Sequence, residues 1–273
     1  MTVKEALQIA SAKLQKCCDR PQFEAELLLS HHLECDRLYL ITHDQERLRD
    51  PQGYFTFIER RAAHEPYEYI VGEASFYDIH LQVQPGVLIP RPETELLIDK
   101  AAQIIAREKI TQVAEIGVGS GAVSVVLARK FPDLKIIATD ICEAPLQVAS
   151  ANIVRYGLGE QITLRHSNLI DDVSETIELV VSNPPYIADS CTLEANVADY
   201  EPHEALFGGR RGDELLKRII DDVKDRDIGW LVCEMGYDQK APIQAYVNEI
   251  GVKSIAFYKD LAGHDRGFVV DFG

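Results

Sequence analysis

The sequence predicts a doubly wound α/β domain with a small helical bundle ahead of it, and three observations predict this. A strand-like run, Gln112-Val113-Ala114-Glu115-Ile116, meets Gly117-Val118-Gly119-Ser120-Gly121 and then a helix-like stretch from Ala122 to Phe131. Short apolar strands and amphipathic helices keep alternating after it, the pattern of a parallel sheet with crossover helices. Ahead of it, from Thr2 to about Ala63, apolar residues recur at helical spacing.

Composition narrows the function classes. The chain has 273 residues, 46% of them hydrophobic, enough for one large domain or two unequal ones. No segment has the uninterrupted apolar length of a membrane span, and Met1-Thr2-Val3-Lys4-Glu5 lacks a signal-peptide core, so a cytoplasmic protein is expected. Its six cysteines are scattered without a Cys-x-x-Cys or a His partner at zinc spacing, so they read as reduced thiols, and no metal site is expected. The formal charge of -16 opposes a phosphate backbone and suits a basic protein partner or a small molecule.

In the N-terminal stretch Leu7, Ala10 and Leu14 define one helix, Leu27 to Leu29 within Phe23 to Leu33 a second, and Phe55, Ile58 and Ala62 a further face with Arg60-Arg61 on its outer side. Pro21 and Pro51 punctuate these helices. His31 and His32 are adjacent and point in different directions on a helix, which favours a solvated face over a metal site. The bundle is expected to occupy residues 1–68. The period then changes to two through Phe76, Ile79, Leu81, Val83 and Val87 to Ile89, with Gly72 and Gly86 as breaks, so a β-hairpin linker is expected over 69–90 and the larger domain over 91–273. In Ile89-Pro90-Arg91-Pro92-Glu93-Thr94-Glu95 two prolines hold Arg91 stiffly, and Glu93 or Thr94 is expected to cap a helix from Leu96 to Arg107.

Strand, glycine turn and helix form a nucleotide-cofactor fingerprint, because glycine lets the backbone approach the ligand and aims the helix N-terminus at it. The dinucleotide version has longer spacing; this tight Gly-x-Gly-x-Gly after acidic Glu115 resembles the first motif of S-adenosylmethionine-dependent methyltransferases. The next strand, Lys135 to Thr139, ends at Asp140, where an acid can accept both hydroxyls of a ribose, with Ile141 beside it. A helix over Ala144 to Tyr156 and a strand over Ile162 to His166 lead to Asn168-Leu169. The apolar run Val180-Val181-Ser182 is then stopped by Asn183-Pro184-Pro185-Tyr186. Two prolines remove backbone donors and leave a stiff wall of acceptors, suited to a primary amide or an exocyclic amine, with Tyr186 lying flat on that planar group. In a doubly wound sheet Glu115, Asp140, Asn168 and Asn183 are expected to line one crevice beyond the strand ends. Beyond it, helices over Asp213 to Asp222 and Gln239 to Ile250, and strands over Gly229 to Glu234, Ser254 to Tyr258 and Gly267 to Phe272, complete the sheet. Glu201-Pro202-His203 either rims the substrate pocket or belongs to a loop capping the core, and His264 and Arg266 read as surface charge.

With these segments the chain resembles the release-factor glutamine N5-methyltransferases (PrmC/HemK) over nearly its whole length. The likeness is carried by the Gly72 to Phe76 hairpin, Leu88-Ile89-Pro90-Arg91-Pro92-Glu93-Thr94-Glu95, the glycine turn, Asp140, Asn183-Pro184-Pro185-Tyr186, Tyr200-Glu201-Pro202, Ala205-Leu206-Phe207-Gly208-Gly209, Glu234-Met235-Gly236 and Asp265-Arg266-Gly267. It implies a Rossmann-like class I methyltransferase domain and S-adenosylmethionine as cofactor, with S-adenosylhomocysteine as product. The implied cofactor set is Glu115, Gly117, Val118, Gly119, Ser120, Gly121, Asp140, Ile141, Asn168, Leu169 and Asn183. The implied substrate is the glutamine of the Gly-Gly-Gln tripeptide in class I peptide-chain release factors, an aid to translation termination. Asn183, Pro184, Pro185 and Tyr186 would hold it, Arg91 and Glu201 would flank it, and Asn183, Pro184 and Tyr186 would form the catalytic set. Two positions depart from the family pattern: Glu115 stands where Asp is usual, and Asn168-Leu169 where an acid and an aromatic or large apolar residue are common. An adenine-N6 methyltransferase acting on DNA or RNA is the runner-up, since the same acceptors suit an exocyclic amine, and the net charge argues against it. A non-catalytic binding protein and a small-molecule methyltransferase are weaker readings. The expected partners are release factors, with no direct nucleic acid and no membrane, and a monomer is the default.

Overall fold

The structure, a computed structural model, describes residues 1–273. The chain forms two compact units, Met1–Glu73 with Leu193–Tyr200, and Ala74–Thr192 with Glu201–Gly273.

The first unit is helical: α1 (Val3–Leu14), α2 (Pro21–His32), α3 (Arg37–Thr42), α4 (Pro51–Ala62) and α5 (Tyr67–Val71). Thr2 and Glu5 close a capping box at the start of α1, and prolines open α2 and α4, where a missing N–H costs nothing. Leu7, Leu14, Leu28, Leu29, Tyr54 and Ile58 make the core, and the buried Tyr54 hydroxyl is satisfied by the Ala25 carbonyl at 3.0 Å. Tyr200 donates to the Ala63 carbonyl at 2.6 Å, tying the Leu193–Tyr200 segment to this unit.

Local chemistry overrides the sequence pattern at four places here. Asp36 caps α3 by accepting from the Tyr39 N–H at 2.8 Å, adding a helix not foreseen. Residues 69–71 are helical, not extended, because α5, which Pro66 starts, runs on through them to Gly72, whose φ of 77° ends it. Arg61 is not on the outer side: its side chain is 12% exposed and pairs with Glu24 at 2.9 Å. His32 packs against Tyr54 and Phe57 with a ring nitrogen 2.8 Å from the Asp50 carbonyl, while His31 keeps the exposed position expected of both.

The second unit follows in the order β1 (Glu73–Phe76), β2 (Ile79–Gln82), α6 (Thr94–Glu108), β3 (Gln112–Ile116), α7 (Ala122–Lys130), β4 (Lys135–Asp140), α8 (Glu143–Arg155), β5 (Ile162–His166), β6 (Leu179–Ser182) and β7 (Ile187–Ala188). After the short α9 (Ala195–Ala198) of the first unit come β8 (Phe207–Gly209), α10 (Glu214–Asp225), β9 (Trp230–Glu234), α11 (Lys240–Ile250), β10 (Ser254–Lys259) and β11 (Asp265–Asp271). Strands β1 and β2 form the hairpin, whereas Val87 to Ile89 run as an irregular segment, because the Ile89 N–H bonds to a carboxylate, that of Glu201, at 3.2 Å.

The main sheet has the order β10-β11-β9-β6-β3-β4-β5, parallel from β9 to β5 and antiparallel at the β10 and β11 edge. Helices α6, α7 and α8 cover one face through Leu97, Ile98, Val125 and Ile153; α10 and α11 cover the other through Leu216, Ile219, Ile243 and Val247. Both faces are covered, so β3, β4 and β6 read as continuous apolar runs. The chain winds outward from β3 through β4 to β5, then crosses to β6 on the other side of β3, so the switch point lies between β3 and β6.

Leu97 on α6 is fully buried in the first of these layers. Leu97→Ala is expected to lower unfolding free energy by about 2–5 kcal/mol, read by urea denaturation; a loss below about 1 kcal/mol would contradict this packing.

Candidate active site

A cavity of about 450 Å³ opens beyond the carboxyl ends of β3, β4 and β6, at the switch point, and this volume lies within the range of small-molecule sites, roughly 300–1,000 Å³. Gly117, Gly119, Asp140, Asn168, Asn183 and Pro184 are among its lining residues. A larger groove of about 690 Å³ lies beside α6, β10 and β11, away from every strand end that carries these residues.

The glycine turn is built for close approach. Gly117, Gly119 and Gly121 take φ of 77°, 54° and 84°, a region that side chains other than glycine seldom enter. The Gly117 and Val118 N–H groups both bond to the Thr139 carbonyl at 2.9 Å, which locks the turn onto β4. Only Gly117 and Gly119 of the turn reach the cavity. Val118 belongs to the core, the Ser120 carbonyl accepts from Asn152 at 2.8 Å, and Gly121 abuts Ala149 so that a Cβ there would sit 3.4 Å from it.

Asp140 accepts from the Gly119 N–H at 3.2 Å and the Cys142 N–H at 3.0 Å, which hold its carboxylate at the cavity wall. Burial pushes this carboxyl above its ordinary value, while the N–H groups of Cys142, Gly119 and Ile141 pull the other way. Asn168 donates its Nδ2 to Asp171 at 3.1 Å, which leaves Oδ1 as the acceptor it can offer a ligand. Ile141 and Leu169 add apolar surface, and Leu169 adopts φ 51°, turning the chain at the end of this wall.

Glu115 does not join them. Its buried carboxyl turns away from the cavity to accept from the Ser124 N–H at 3.0 Å and from the Ser124 hydroxyl, so it satisfies an otherwise orphan donor in the first turn of α7. Burial raises its pKa to about 8, against those two hydrogen bonds.

The Asn183 segment is clamped from three sides. Parallel pairing of Ser182 with Cys233 brings Asn183 and Glu234 out of neighbouring strands together. Asn183 Nδ2 donates to Thr94 Oγ1 at 2.9 Å, Thr94 Oγ1 donates to Glu234 Oε2 at 2.8 Å, and the Tyr186 hydroxyl donates to Glu234 Oε1 at 3.0 Å. Gln239 donates to the Tyr186 carbonyl at 2.7 Å, and a Cβ on Gly208 or Gly212 would collide with the Pro185 or Tyr186 carbonyl. Thr94 therefore caps nothing at the start of α6; its hydroxyl is committed to this network.

Asn183, Pro184 and Pro185 line the cavity, but Tyr186 does not. Its hydroxyl is tethered to Glu234 and its ring packs on the core, so it is not free to lie flat on a ligand. Arg91 and Glu201 are likewise outside the lining: they pair with each other, and Glu201, with a side chain 1% exposed, also accepts from the Ile89 N–H. Arg266 is not surface charge, since its side chain bonds to Asp260 at 2.7 Å and lies close enough to influence Tyr186 and Glu234. Pro202, expected with Glu201 either to rim the pocket or to cap the core, lines the cavity; residues that the sequence did not assign to the site include Gly86 and Leu88, Ser167 and Glu204 in the cavity wall, and Thr94 with Glu234 behind it. Leu88, Thr94 and Glu234 fall within the short segments that carry the family resemblance, the one signal that pointed toward them.

Comparison with known proteins agrees with this architecture. Residues 5–72 match the family described as PrmC N-terminal domain, and residues 92–200 match the methyltransferase small domain. The chain is 38% identical over 258 residues to the release factor glutamine methyltransferase of Koribacter versatilis, covering 91% of each chain. It is 33% identical over 278 residues to that of Coxiella burnetii, covering 100% of each, and 38% identical over 246 residues to that of Streptococcus pneumoniae, covering 87% of this chain and 86% of the relative. Among solved structures it is similar in fold to a Mettl16 catalytic domain crystallised with a MAT2A 3'UTR hairpin, with TM-score 0.58, 16% identity and 81% of each chain covered. It is also similar to a ribosomal protein L11 methylase from Lactobacillus delbrueckii, with TM-score 0.50, 21% identity and coverage of 70% and 84%.

Breaking the Arg91 to Glu201 pair leaves a buried carboxylate without its cation. Arg91→Ala is expected to destabilise the fold by roughly 2–3 kcal/mol, less than a fully enclosed pair because Arg91 is 33% exposed. Chemical denaturation checks this, and an unchanged midpoint with lost activity would instead favour direct substrate contact.

Proposed function

The chain belongs to the release factor glutamine methyltransferases, and from that premise we propose that it methylates the side-chain amide nitrogen, N5, of the glutamine in the Gly-Gly-Gln tripeptide of class I peptide-chain release factors. It is an S-adenosylmethionine-dependent methyltransferase. The observation that carries the substrate reading is the Asn183 amide, which lines the cavity and whose nitrogen donates to Thr94 at 2.9 Å.

The residues fit the cofactor. Gly117 and Gly119 leave room beside the cavity where a side chain would intrude, Asp140 offers carboxylate oxygens suited to ribose hydroxyls, and Asn168 Oδ1 suits the adenine amine, with Ile141 and Leu169 as apolar flanks. S-adenosylmethionine supplies a methyl carbon on a positively charged sulfur, an already activated leaving group. The protein's task is therefore positioning and exclusion of water rather than acid or base chemistry.

A primary amide nitrogen is a weak nucleophile because its lone pair is shared with its carbonyl. Asn183 Oδ1 and the Pro184 carbonyl would accept its two N–H bonds, hold the nitrogen facing the methyl donor, and favour the positive charge that grows there, one of the two protons then leaving to solvent so that the product is a neutral N-methyl amide. Pro184 and Pro185 stiffen this wall, and Tyr186 acts from behind it, through Glu234, rather than on the substrate. An adenine amine would satisfy the same acceptors. The net charge of -16 and relatives named for glutamine favour the amide, and the 16% likeness to an RNA-bound methyltransferase carries the fold alone.

Asn183→Ala is expected to lower turnover by about 100-fold or more, the scale of losing one oriented polar group at a reacting centre, with cofactor affinity nearly kept. Asp140→Ala is expected to weaken S-adenosylhomocysteine binding by about tenfold or more in calorimetry. The reading itself is tested with labelled S-adenosylmethionine and a release factor carrying Gly-Gly-Gln or Gly-Gly-Ala: label on the first alone supports it, and label on both or neither overturns it.

A further inference from the structure

We propose that the Thr94 hydroxyl and the Glu234 carboxylate set which end of the Asn183 amide faces the cavity, and so act as positioning residues for the methyl acceptor. The inference rests on the function proposed above and assigns the two residues a role in orienting its acceptor.

An Asn side chain has an acceptor end and a donor end of nearly equal size, so its neighbours must choose between them. Ionised Glu234 can only accept. Two hydroxyls, Thr94 and Tyr186, converge on its two oxygens at 2.8 and 3.0 Å, and both must donate. With its single proton committed to Glu234, Thr94 can only accept from Asn183, which requires Nδ2 at that contact, 2.9 Å away. Oδ1 is then presented to the cavity. Thr94 and Glu234 are both buried, so water does not compete for these bonds. The two residues lie 140 positions apart, and the sheet brings them together.

The chain of bonds has a polarity that a proton can reverse. A protonated Glu234 can donate to Thr94, which frees the Thr94 proton to point at Asn183 and to accept Oδ1 in place of Nδ2 as its neighbour. Nδ2 would then face the N–H groups of the substrate, and donor would meet donor. The titratable and charged groups around Glu234 are Glu93 at the start of α6, Tyr186, Cys233 on its own strand, Tyr258 on β10 and Arg266 on β11. Burial and Glu93 raise the Glu234 pKa to about 7, while Thr94, Tyr186 and Arg266 pull it down, so the switch falls within an accessible pH range.

The test compares wild type, Thr94→Val, Thr94→Ser and Glu234→Gln with the Gly-Gly-Gln release factor, reading kcat and the KM for both substrates from pH 6 to 8.5. Thr94→Val is expected to lose about tenfold or more in kcat with S-adenosylhomocysteine affinity within about threefold of wild type, and Thr94→Ser to recover most of it. Wild-type kcat is expected to fall on the acid side, and Glu234→Gln, which cannot titrate there, to lack that limb. A flat wild-type profile, or Thr94→Val equal to wild type, overturns the inference, and the wild-type profile decides even if a variant fails to fold. Failure of wild type to methylate the glutamine would instead overturn the function proposed above.

Discussion

Parallel pairing between β6 and β9 is the constraint on which the site depends. It brings Asn183 and Glu234 out of the sheet side by side, one at the edge of the cavity and the other sealed behind it. A carboxylate buried this deeply is tolerated only when its lone pairs are met, and Thr94 and Tyr186 meet them. The same hydroxyls that make Glu234 tolerable also hold α6 and the Asn183 segment against it. Stability of the strand end and orientation of the reacting group thus come from one set of bonds.

Around that centre, backbone shape is controlled by residues with no side chain or no N–H. Pro184 and Pro185 fix one side of the segment; Gly208 and Gly212 let a neighbouring loop press against its carbonyls. On the opposite side, positive φ at Gly117 and Gly119 brings the β3 turn to the cavity, while Asn152 holds that turn from behind and Glu115 holds the first turn of α7. Both walls are held by bonds within the protein itself, which suits a reaction whose rate depends on alignment more than on proton transfer.

Much of this was legible in the sequence because it depends on local pattern. Period and punctuation located the helices flanking the sheet and the strands β3, β4, β5, β6, β9, β10 and β11, and strand-end position brought three of its four residues, Asp140, Asn168 and Asn183, to one crevice, which Gly117 reaches through the glycine turn. Features that depend on which distant residue a side chain meets were not legible. Glu115 has the right strand but the wrong facing, because an orphan N–H at Ser124 captures it. Tyr186 and Arg91 sit beside the expected motifs yet are each taken by a buried carboxylate, Glu234 and Glu201. Thr94 looks like a helix cap in sequence, and only the assembled sheet reveals that its hydroxyl belongs to a strand far away in the chain.

The central claim is that Asn183 presents its oxygen, and not its nitrogen, to the methyl acceptor. Neutron diffraction from deuterated crystals above pH 8 locates the protons that decide this. The account predicts two deuterons on Asn183 Nδ2, one shared with Thr94 Oγ1, and the Thr94 deuteron pointing at Glu234. A Thr94 deuteron pointing at an oxygen of Asn183, with the amide nitrogen toward the cavity, would contradict it.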